Sequence, residues 1–396
     1  MELRREDKLL LQCLTAEPDD RSVSRLVHFT ASDWDLMVEQ SVKHAVASLL
    51  YQQVKRFGPS FRVPPDVLER LRGIYLINAA RNMRLYHELS NVLKMFNDEG
   101  IPVIVLKGMH IAEIVYENIG LRSMTDMDLL FRKQDLAIAQ RKLMEAGYYP
   151  HNNRLPLDIH WSIEHNIVPP LPIDEEGLWQ RAQPASIAGV EVLVLSSEDL
   201  LLHLCLHLSF HHLFGFAGVR TLYDIRETIR HYKTTMDWDE LKGRAREWRA
   251  GNAIYLALLL AKELVNAEVS DSILATLKSD YTDSHKQWAI QQMFNGAADG
   301  GLLSPFFCFL WRPVSLRKKA AYFLKFMFPP PEYVSERHDT PYQSSGNHLS
   351  YLTRVKEHFG RYSRATWKLL TRDPKVVGQV KRQNQNTAIR EWLSSN

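Results

Sequence analysis

Two aspartates inside an apolar run are the feature of this sequence that most restricts its fold. Residues 122 to 131 read RSMTDMDLLF, in which Asp126 and Asp128 stand two residues apart. In an extended strand, side chains at i and i+2 project from the same face, so this spacing places two carboxylates side by side next to a buried sheet. Such a pair repels itself unless a divalent cation, a nearby Arg or Lys, or a shared proton lies between the two groups.

The chain around these aspartates alternates between strand and helix patterns. The segment IPVIVLKG (residues 101 to 108) has a β-branched run between Pro102 and Gly108 that is typical of a buried strand. MHIAEIVYENIG then predicts a helix, RSMTDMDLLF a strand, KQDLAIAQRKLMEAG an amphipathic helix that ends at Gly147, and LPLDIHWSI another strand. We therefore predict a core with the order strand, helix, strand, helix, strand.

Helical periodicity covers the chain on both sides of this core. A long helix is expected from near Pro65 until Gly100. After the short strand pattern GVEVLVL, Ser196 or Ser197 is the expected N-cap of another helix. The sequence thus predicts an α+β fold in which a small mixed β-sheet core is embedded in a mostly helical chain.

Composition limits the classes of protein to which this chain can belong. Its 396 residues are 45% hydrophobic, and no run reaches the roughly 18 apolar residues that a membrane-spanning helix needs. The charged stretch MELRREDKLLLQCL lacks the pattern of a secretory signal, so we expect a cytoplasmic protein. Cys13, Cys205 and Cys308 each lie in an apolar context, which favours buried thiols over disulfides or a zinc site.

Positive charge is concentrated towards the C-terminal end. Residues 311 to 396 carry about +10 of formal charge, which leaves about −7 for the preceding chain because the total is +3. Such a tail can contact nucleic acid, an acidic lipid surface or the acidic body of its own protein. The last is favoured, because the basic residues are spread through helical patterns. Residues 328 to 347, FPPPEYVSERHDTPYQSSGN, are predicted to form an irregular linker.

A third aspartate and a lysine-glycine pair extend the acidic motif. Asp158 lies in the middle of the strand pattern LPLDIHWSI, and two adjacent strands could bring it to Asp126 and Asp128. Three such carboxylates form a hard-oxygen site that suits Mg²⁺ or Mn²⁺ and does not suit Zn²⁺. Lys107 and Gly108 end the first strand and open directly into a helix, an arrangement in which backbone N–H groups can hold a phosphate.

A series of motifs along the chain resembles a known family. Taken in order, VLKGMHIAEIVY, RSMTDMDLLF, LDIHWSI, IDEEGLWQRAQP, LSSEDLLLHLCLH and VRTLYDI resemble the uncharacterised nucleotidyltransferase family. That family lies within the superfamily of minimal nucleotidyltransferases, aminoglycoside nucleotidyltransferases and DNA polymerase β, and the resemblance covers roughly residues 30 to 340. We expect an N-terminal helical region (1–98), a nucleotidyltransferase catalytic core (99–196), a helical domain (197–327), and a linker with a basic helical tail (328–396).

The resemblance implies catalytic and metal-binding roles for three carboxylates. Asp126 and Asp128 match the aspartates that bind the catalytic metals, and Asp158 matches the third carboxylate, which helps to activate the attacking hydroxyl. The implied cofactor is Mg²⁺ or Mn²⁺ and the implied co-substrate is an NTP. ATP is the expected nucleotide, although the sequence does not determine the base. The implied reaction is in-line attack of an acceptor oxygen on the α-phosphorus, which releases pyrophosphate.

The resemblance also implies nucleotide-binding residues. Lys107 and Gly108 stand where the glycine motif of the superfamily meets the nucleoside triphosphate. Arg122 occupies the usual arginine position of the family, where it can contact phosphate or orient the carboxylates. Met109 stands where the superfamily usually has a serine, so a hydroxyl contact to phosphate is missing, and Lys107 could substitute for it.

Further residues are candidates for the lining of the site. His160 shares the face of Asp158 and can touch substrate or hold that carboxylate by a hydrogen bond, whereas Trp161 points the other way and is expected in the core. Arg220 can form an ion pair with Asp224 within one helix, or it can face the cleft.

A stripe of histidines follows the strand pattern GVEVLVL. His203, His207 and His211 stand at i, i+4 and i+8, with His212 beside them. This spacing can bind a metal, yet no acidic residue within the stripe completes a ligand set. We therefore expect His207 to pack or to line the active site.

The leading prediction is a metal-dependent enzyme that moves an NMP group to a hydroxyl or similar group of an unidentified acceptor. The acceptor can be a small molecule, a peptide or a protein, and nucleic acid is less favoured because the net charge is modest. Two alternatives stay open. One is a catalytically inactive nucleotidyltransferase-fold module that binds nucleotide or protein, and the other is a phosphohydrolase or nuclease that uses the same carboxylates.

Overall fold

The computed structural model describes most of the first three quarters of the chain and one later helix. The described residues are 3–16, 29–57, 63–148, 156–164, 170–215, 217–278, 280–295, 317 and 374–395. The predicted linker at 328–347, Cys308 and most of the basic tail lie outside them.

Helices precede the sheet, as the sequence predicts. The long helix α4 begins at Pro65 and ends at Asp98, two residues before the expected break at Gly100. Its start has a physical reason, because proline at the first helical position has no N–H to leave unpaired. The helices of this region are α1 (Arg5–Thr15), α2 (Ala31–Lys43), α3 (Ala47–Phe57) and α4 (Pro65–Asp98).

A five-stranded mixed sheet follows, in the spatial order β3-β2-β1-β5-β4. The pairs β1–β5 and β2–β3 are parallel, whereas β1–β2 and β4–β5 are antiparallel. The strands are β1 (Ile104–Val105), β2 (Met127–Leu130), β3 (Leu157–His160), β4 (Gln183–Ile187) and β5 (Val190–Val194). The helices between them are α5 (Lys107–His110), which continues as a π turn (Ile111–Val115), α6 (Leu136–Glu145) and α7 (Glu175–Arg181).

The chain after the sheet is helical again. Helix α8 has Ser196 as its N-cap, as predicted, and the Ser196 side chain accepts a hydrogen bond from the Asp199 N–H. The helices are α8 (Ser197–Leu206), which continues as a second π turn (His207–His211), α9 (Gly218–His231), α10 (Trp238–Glu247), α11 (Gly251–Val265), α12 (Asp271–Leu277), α13 (Asp283–Asn295) and α14 (Pro374–Leu393). The chain divides into two compact units, one of Met1–Gly296 with Leu393–Asn396 and one of Ala297–Trp392.

The predicted α+β class is confirmed, but one strand was not predicted. Strand β4 pairs with β5 through a two-residue turn, Ala188 and Gly189, with φ values of 54° and 71°. Two positive φ angles in a two-residue connection are the mark of a type I′ hairpin turn, which matches the twist of the strands. The residues QPASI lack the β-branched run that identifies β1, so periodicity alone does not reveal β4.

The core lies between helix α4 and the sheet. Leu89 and Phe96 of α4 are fully buried against Val105 and Leu129, and the Phe96 ring packs edge-on against Phe131 with 4.9 Å between ring centres. Burying each such side chain contributes about 1.5 to 3 kcal/mol. The apolar face of α4 therefore fixes the position of the sheet that carries the acidic motif.

Polar side chains of α4 position the loop that leads into β2. Asn78 donates to the Gly120 carbonyl at 2.8 Å. Asn82, which is fully buried, donates to the Ile119 carbonyl and to the Arg122 carbonyl, the latter at 2.8 Å. Because a buried carbonyl without a donor is costly, these bonds specify the path of the loop rather than merely allow it.

Two expectations about the environment of the chain can be compared with the structure. Cys13 and Cys205 are buried free thiols, as predicted. Within the described ranges, no helix is long and apolar enough to cross a membrane.

Replacing Asn82 with Ala tests the anchoring of the loop. We expect the variant to lose about 2 kcal/mol of free energy of unfolding, because two buried carbonyls lose their donor. Urea unfolding of the full chain measures this loss. The control is Asn97→Ala, which removes a single exposed bond to the Glu191 carbonyl and should cost much less. Equal losses in the two variants would contradict the anchoring role.

Candidate active site

The acidic motif is assembled by two parallel strands. Strand β2 pairs with β3 so that Asp128 lies directly opposite Asp158. Asp128 is buried, with 3% of its surface exposed, whereas Asp158 is exposed. Asp126 lies one residue before β2 begins and is half-buried, and its side chain accepts a hydrogen bond from the Thr125 hydroxyl at 3.1 Å. The structure thus brings the three predicted carboxylates to one edge of the sheet.

Two nitrogen groups meet the buried carboxylate of Asp128. Lys107 Nζ donates to Asp128 Oδ1 at 3.0 Å, and His160 Nε2 lies 2.9 Å from the same oxygen. Burial alone would raise the pKa of Asp128. The hydrogen bond from His160 and the positive charge of Lys107 outweigh it and hold that pKa well below its usual value. Asp128 is therefore ionised at neutral pH.

The exposed carboxylate of Asp158 has the opposite shift. Its pKa is raised by partial burial and by the negative charges of Asp128 and Asp126. The two facing aspartates therefore differ in basicity. One ligand atom from each of Asp128, Asp158 and His160 lies within 4.8 Å of the others, a separation that a metal ion can bridge.

The predicted phosphate-binding turn, Lys107 and Gly108, lies next to this cluster. Lys107 and Gly108 are the first residues of α5, directly after β1. A Cβ atom at Gly108 would come 3.3 Å from Arg122 Nη1, which is closer than ordinary contacts, so glycine lets the turn approach the guanidinium. The glycine here serves a close approach between chain segments.

Arg122 is a buried partner of α9. Its Nε and Nη2 both lie 3.0 Å from Asp224 Oδ2, and Tyr116 donates to Asp224 Oδ1 at 3.0 Å. Burial alone would lower the pKa of Arg122. The negative charge of Asp224 and its hydrogen bond outweigh burial, so the pKa of Arg122 is above its usual value. The expected pairing of Asp224 with Arg220 along the helix is replaced by this pairing with Arg122 across the fold.

Arg220 instead supports the loop before Asp126. Its Nη1 donates to the Ser123 carbonyl at 2.8 Å. Burial and the nearby charge of Arg122 lower the pKa of Arg220 to about 10. Arg220 remains charged at neutral pH, beside the acidic motif.

The histidine stripe contacts the carboxylate of Glu164, a residue that the sequence analysis did not identify. His207 Nδ1 lies 3.0 Å from Glu164 Oε1, and burial raises the pKa of Glu164 to about 7. Glu164 comes from the chain just after β3, six residues beyond Asp158, so spacing within the stripe could not reveal it. A carboxylate six residues after a candidate metal ligand can be noticed in the sequence. Only the fold shows that this carboxylate contacts the histidine stripe.

The prediction for Trp161 is wrong. Its side chain is 38% exposed, and Lys133 Nζ lies 5.0 Å from the centre of its ring. Strand β3 ends at His160, so the alternation of side chains that predicted burial no longer applies at the next residue.

A family match identifies the class of protein to which the chain belongs. The sequence model of the family described as uncharacterised nucleotidyltransferase matches residues 30–266, more than half of the 396 residues. The protein belongs to this family, as the motifs predict. The searches of curated proteins and of solved structures gave no significant match.

Replacing Asp224 with Ala tests the buried pair beneath the site. We expect a loss of about 3 kcal/mol or more in the free energy of unfolding, because the Arg122 charge would remain buried without its partner. Urea unfolding measures the loss. Glu145→Ala, which removes exposed pairs with Arg141 and Lys142, is the control and should change stability by less than about 1 kcal/mol. A comparably small effect of Asp224→Ala would show that Arg122 finds other compensation.

Proposed function

We propose that this protein is a Mg²⁺-dependent nucleotidyltransferase. It would transfer an NMP group from an NTP, expected to be ATP, to a hydroxyl or similar group of an acceptor, with release of pyrophosphate. The observation that carries the proposal is the parallel pairing that sets Asp128 opposite Asp158, with Lys107 Nζ on Asp128. Family membership supports the general nucleotidyl transfer, and the metal, donor and acceptor are part of the proposal.

The donor atoms at this edge of the sheet suit a hard cation. Asp128 is ionised, Asp158 offers a second carboxylate within 4.8 Å, and Asp126 adds a third at the start of β2. Oxygen donors of this kind fit Mg²⁺ or Mn²⁺. Such an ion, when bound, neutralises the charge that develops on the phosphates and acts as a Lewis acid.

The difference in exposure between the facing aspartates suggests a division of roles. Asp128 is buried and would hold metal. Asp158 is exposed and faces solvent, where an acceptor molecule can arrive, so it would accept the proton of the acceptor. The acceptor oxygen would bond to the α-phosphorus as its proton moves to Asp158. The bond from the α-phosphorus to the bridging oxygen breaks, and pyrophosphate carries away the electron pair.

Basic side chains around the carboxylates would bind the phosphates. Lys107, which contacts Asp128 at the edge of the cluster, would also donate to a phosphate oxygen, and Gly108 lets the turn come close. Arg122 would act by positioning, since its guanidinium is engaged by Asp224. Arg220 holds the loop before Asp126 and adds positive charge there.

The proposal also covers the domain boundaries, the acceptor class and the cellular location. We assign catalysis to residues 99–196, flanked by the helical regions 1–98 and 197–327, with residues 328–396 as linker and basic tail. His160 and His207 would line the substrate side of the site. The acceptor is a small molecule, a peptide or a protein rather than a long nucleic acid, and the reaction would take place in the cytoplasm.

The double variant Asp126→Asn, Asp128→Asn tests the site. Calorimetric titration with each of the four NTPs, with and without Mg²⁺, should show binding to the unsubstituted protein that depends on Mg²⁺ and is lost in the variant, because the metal loses charged ligands. Asp239→Asn, at a side chain 91% exposed, is the control and should bind normally. Mg²⁺-dependent binding that survives the double substitution would refute the assignment.

A screen of acceptors then separates the alternatives. With the NTP that binds, transfer of labelled NMP to an acceptor supports the proposal. Release of NMP and pyrophosphate without any acceptor would indicate a phosphohydrolase, and binding without any turnover would indicate an inactive module.

Replacing Lys107 with Ala tests its role towards the nucleotide. We expect nucleotide affinity to fall at least about tenfold, the value of one charge-assisted hydrogen bond. Mn²⁺ binding without nucleotide should be kept or tightened, because the cation that competes for Asp128 is removed. Lys94→Ala on the exposed face of α4 is the control. Equal weakening of metal and nucleotide binding would point to a purely structural lysine.

A further inference from the structure

A second group of metal-ligating side chains lies beside the carboxylate site. Glu164, His203 and His207 each offer one ligand atom, and these atoms lie within 4.8 Å of one another. Glu164 follows β3, His203 is on α8, and His207 begins the π turn that continues α8. A π turn widens the helix by one residue and is frequent at functional sites. The fold therefore brings these three ligands together, and regular spacing along one helix does not.

The metal-ligating side chains of this group are largely buried. Glu164 is 9% exposed and His203 is 1% exposed. The bond between His207 Nδ1 and Glu164 Oε1 satisfies one imidazole nitrogen and the carboxylate. His203 Nδ1, however, is buried with no hydrogen-bond partner within the described chain. Buried polar atoms are nearly always paired, so a ring nitrogen that no described group occupies is available to an ion.

The donor types of the group match a divalent ion. His203 and His207 can each offer one ring nitrogen, and Glu164 can offer one carboxylate oxygen. The set therefore has two imidazole nitrogens and one carboxylate oxygen. Three protein ligands of this type, with the fourth position open to water, are a known Zn²⁺ arrangement.

We propose that Glu164, His203 and His207 bind one transition-metal ion, best fitted by Zn²⁺, at a centre beside the carboxylate site. This set has two imidazoles and one carboxylate, whereas the neighbouring set has two carboxylates and one imidazole, so the first disfavours Mg²⁺ and the two centres would hold different metals. The ion would join the chain after β3 to the π turn of α8. This inference stands without the proposed nucleotidyl transfer.

A competing set shares one of these ligands. His207, His211 and His212 also bring one nitrogen each within 4.8 Å, and the rings of His207 and His211 stack with 4.5 Å between centres. This set has no carboxylate, and His211 is exposed. The buried set is preferred because it combines a negative ligand with the unpaired nitrogen of His203.

Zinc titration of the full chain tests the proposal. The protein, without an affinity tag, is stripped with a chelator and titrated with ZnCl₂ in excess Mg²⁺, which competes with zinc for the carboxylate site. We expect one equivalent to bind. Glu164→Gln and His203→Gln should each weaken binding at least about 100-fold, since loss of even an outer-shell partner can cost that much. Glu164→Gln is nearly isosteric, so the test survives if His203→Gln fails to fold.

Matched variants decide where the zinc binds. His110→Gln removes another fully buried imidazole, which contacts Tyr232, and should leave affinity unchanged. His211→Gln and the double variant Asp126→Asn, Asp128→Asn should also retain it. Co²⁺ in place of Zn²⁺ should give the visible absorption of a four-coordinate site, which Glu164→Gln abolishes. Absence of stoichiometric zinc, or binding that is insensitive to Glu164→Gln or lost in His211→Gln, would overturn the proposal.

Discussion

Burying the Asp128 carboxylate inside a sheet is the constraint on which the site depends. A charge removed from water costs several kcal/mol unless hydrogen-bonding partners compensate it. Here one partner, Lys107, comes from the end of β1 and the other, His160, from the end of β3. The carboxylate therefore links three neighbouring strands, β1, β2 and β3. The same requirement that stabilises the sheet collects the charged groups that a phosphate and a metal need.

A second buried charge links this edge to the helices that follow. Arg122 reaches Asp224 on α9, and Asn82 of α4 holds the Arg122 backbone from the other side. The loop before β2 is thus fixed between an early helix and a late one. These contacts tie the sheet to helices on both sides of it, and all of the residues involved lie within the family match at 30–266.

Two kinds of donor set lie close together in this fold. The carboxylates offer hard oxygens, whereas Glu164 with the histidines of α8 offers mainly nitrogen. The sets influence each other. Burial raises the pKa of Glu164 and the positive charge of Lys107 partly opposes that rise, whereas burial and Lys107 both lower the pKa of His203. An ion in one set would change the field in the other, so neither can be understood from its ligands alone.

Local sequence determined the elements with strong periodicity and the residues of the motif. The β-branched run of β1, the long apolar stripe of α4 and the spacing of Asp126 and Asp128 act over short range, and they predicted the α+β class correctly. Only the tertiary structure decided the partners: Asp128 with Lys107 and His160, Arg122 with Asp224, and Glu164 with His207. Propensity and periodicity are properties of neighbouring residues. Pairing of buried charges depends on which distant segments the core brings together, and a single sequence does not display that information.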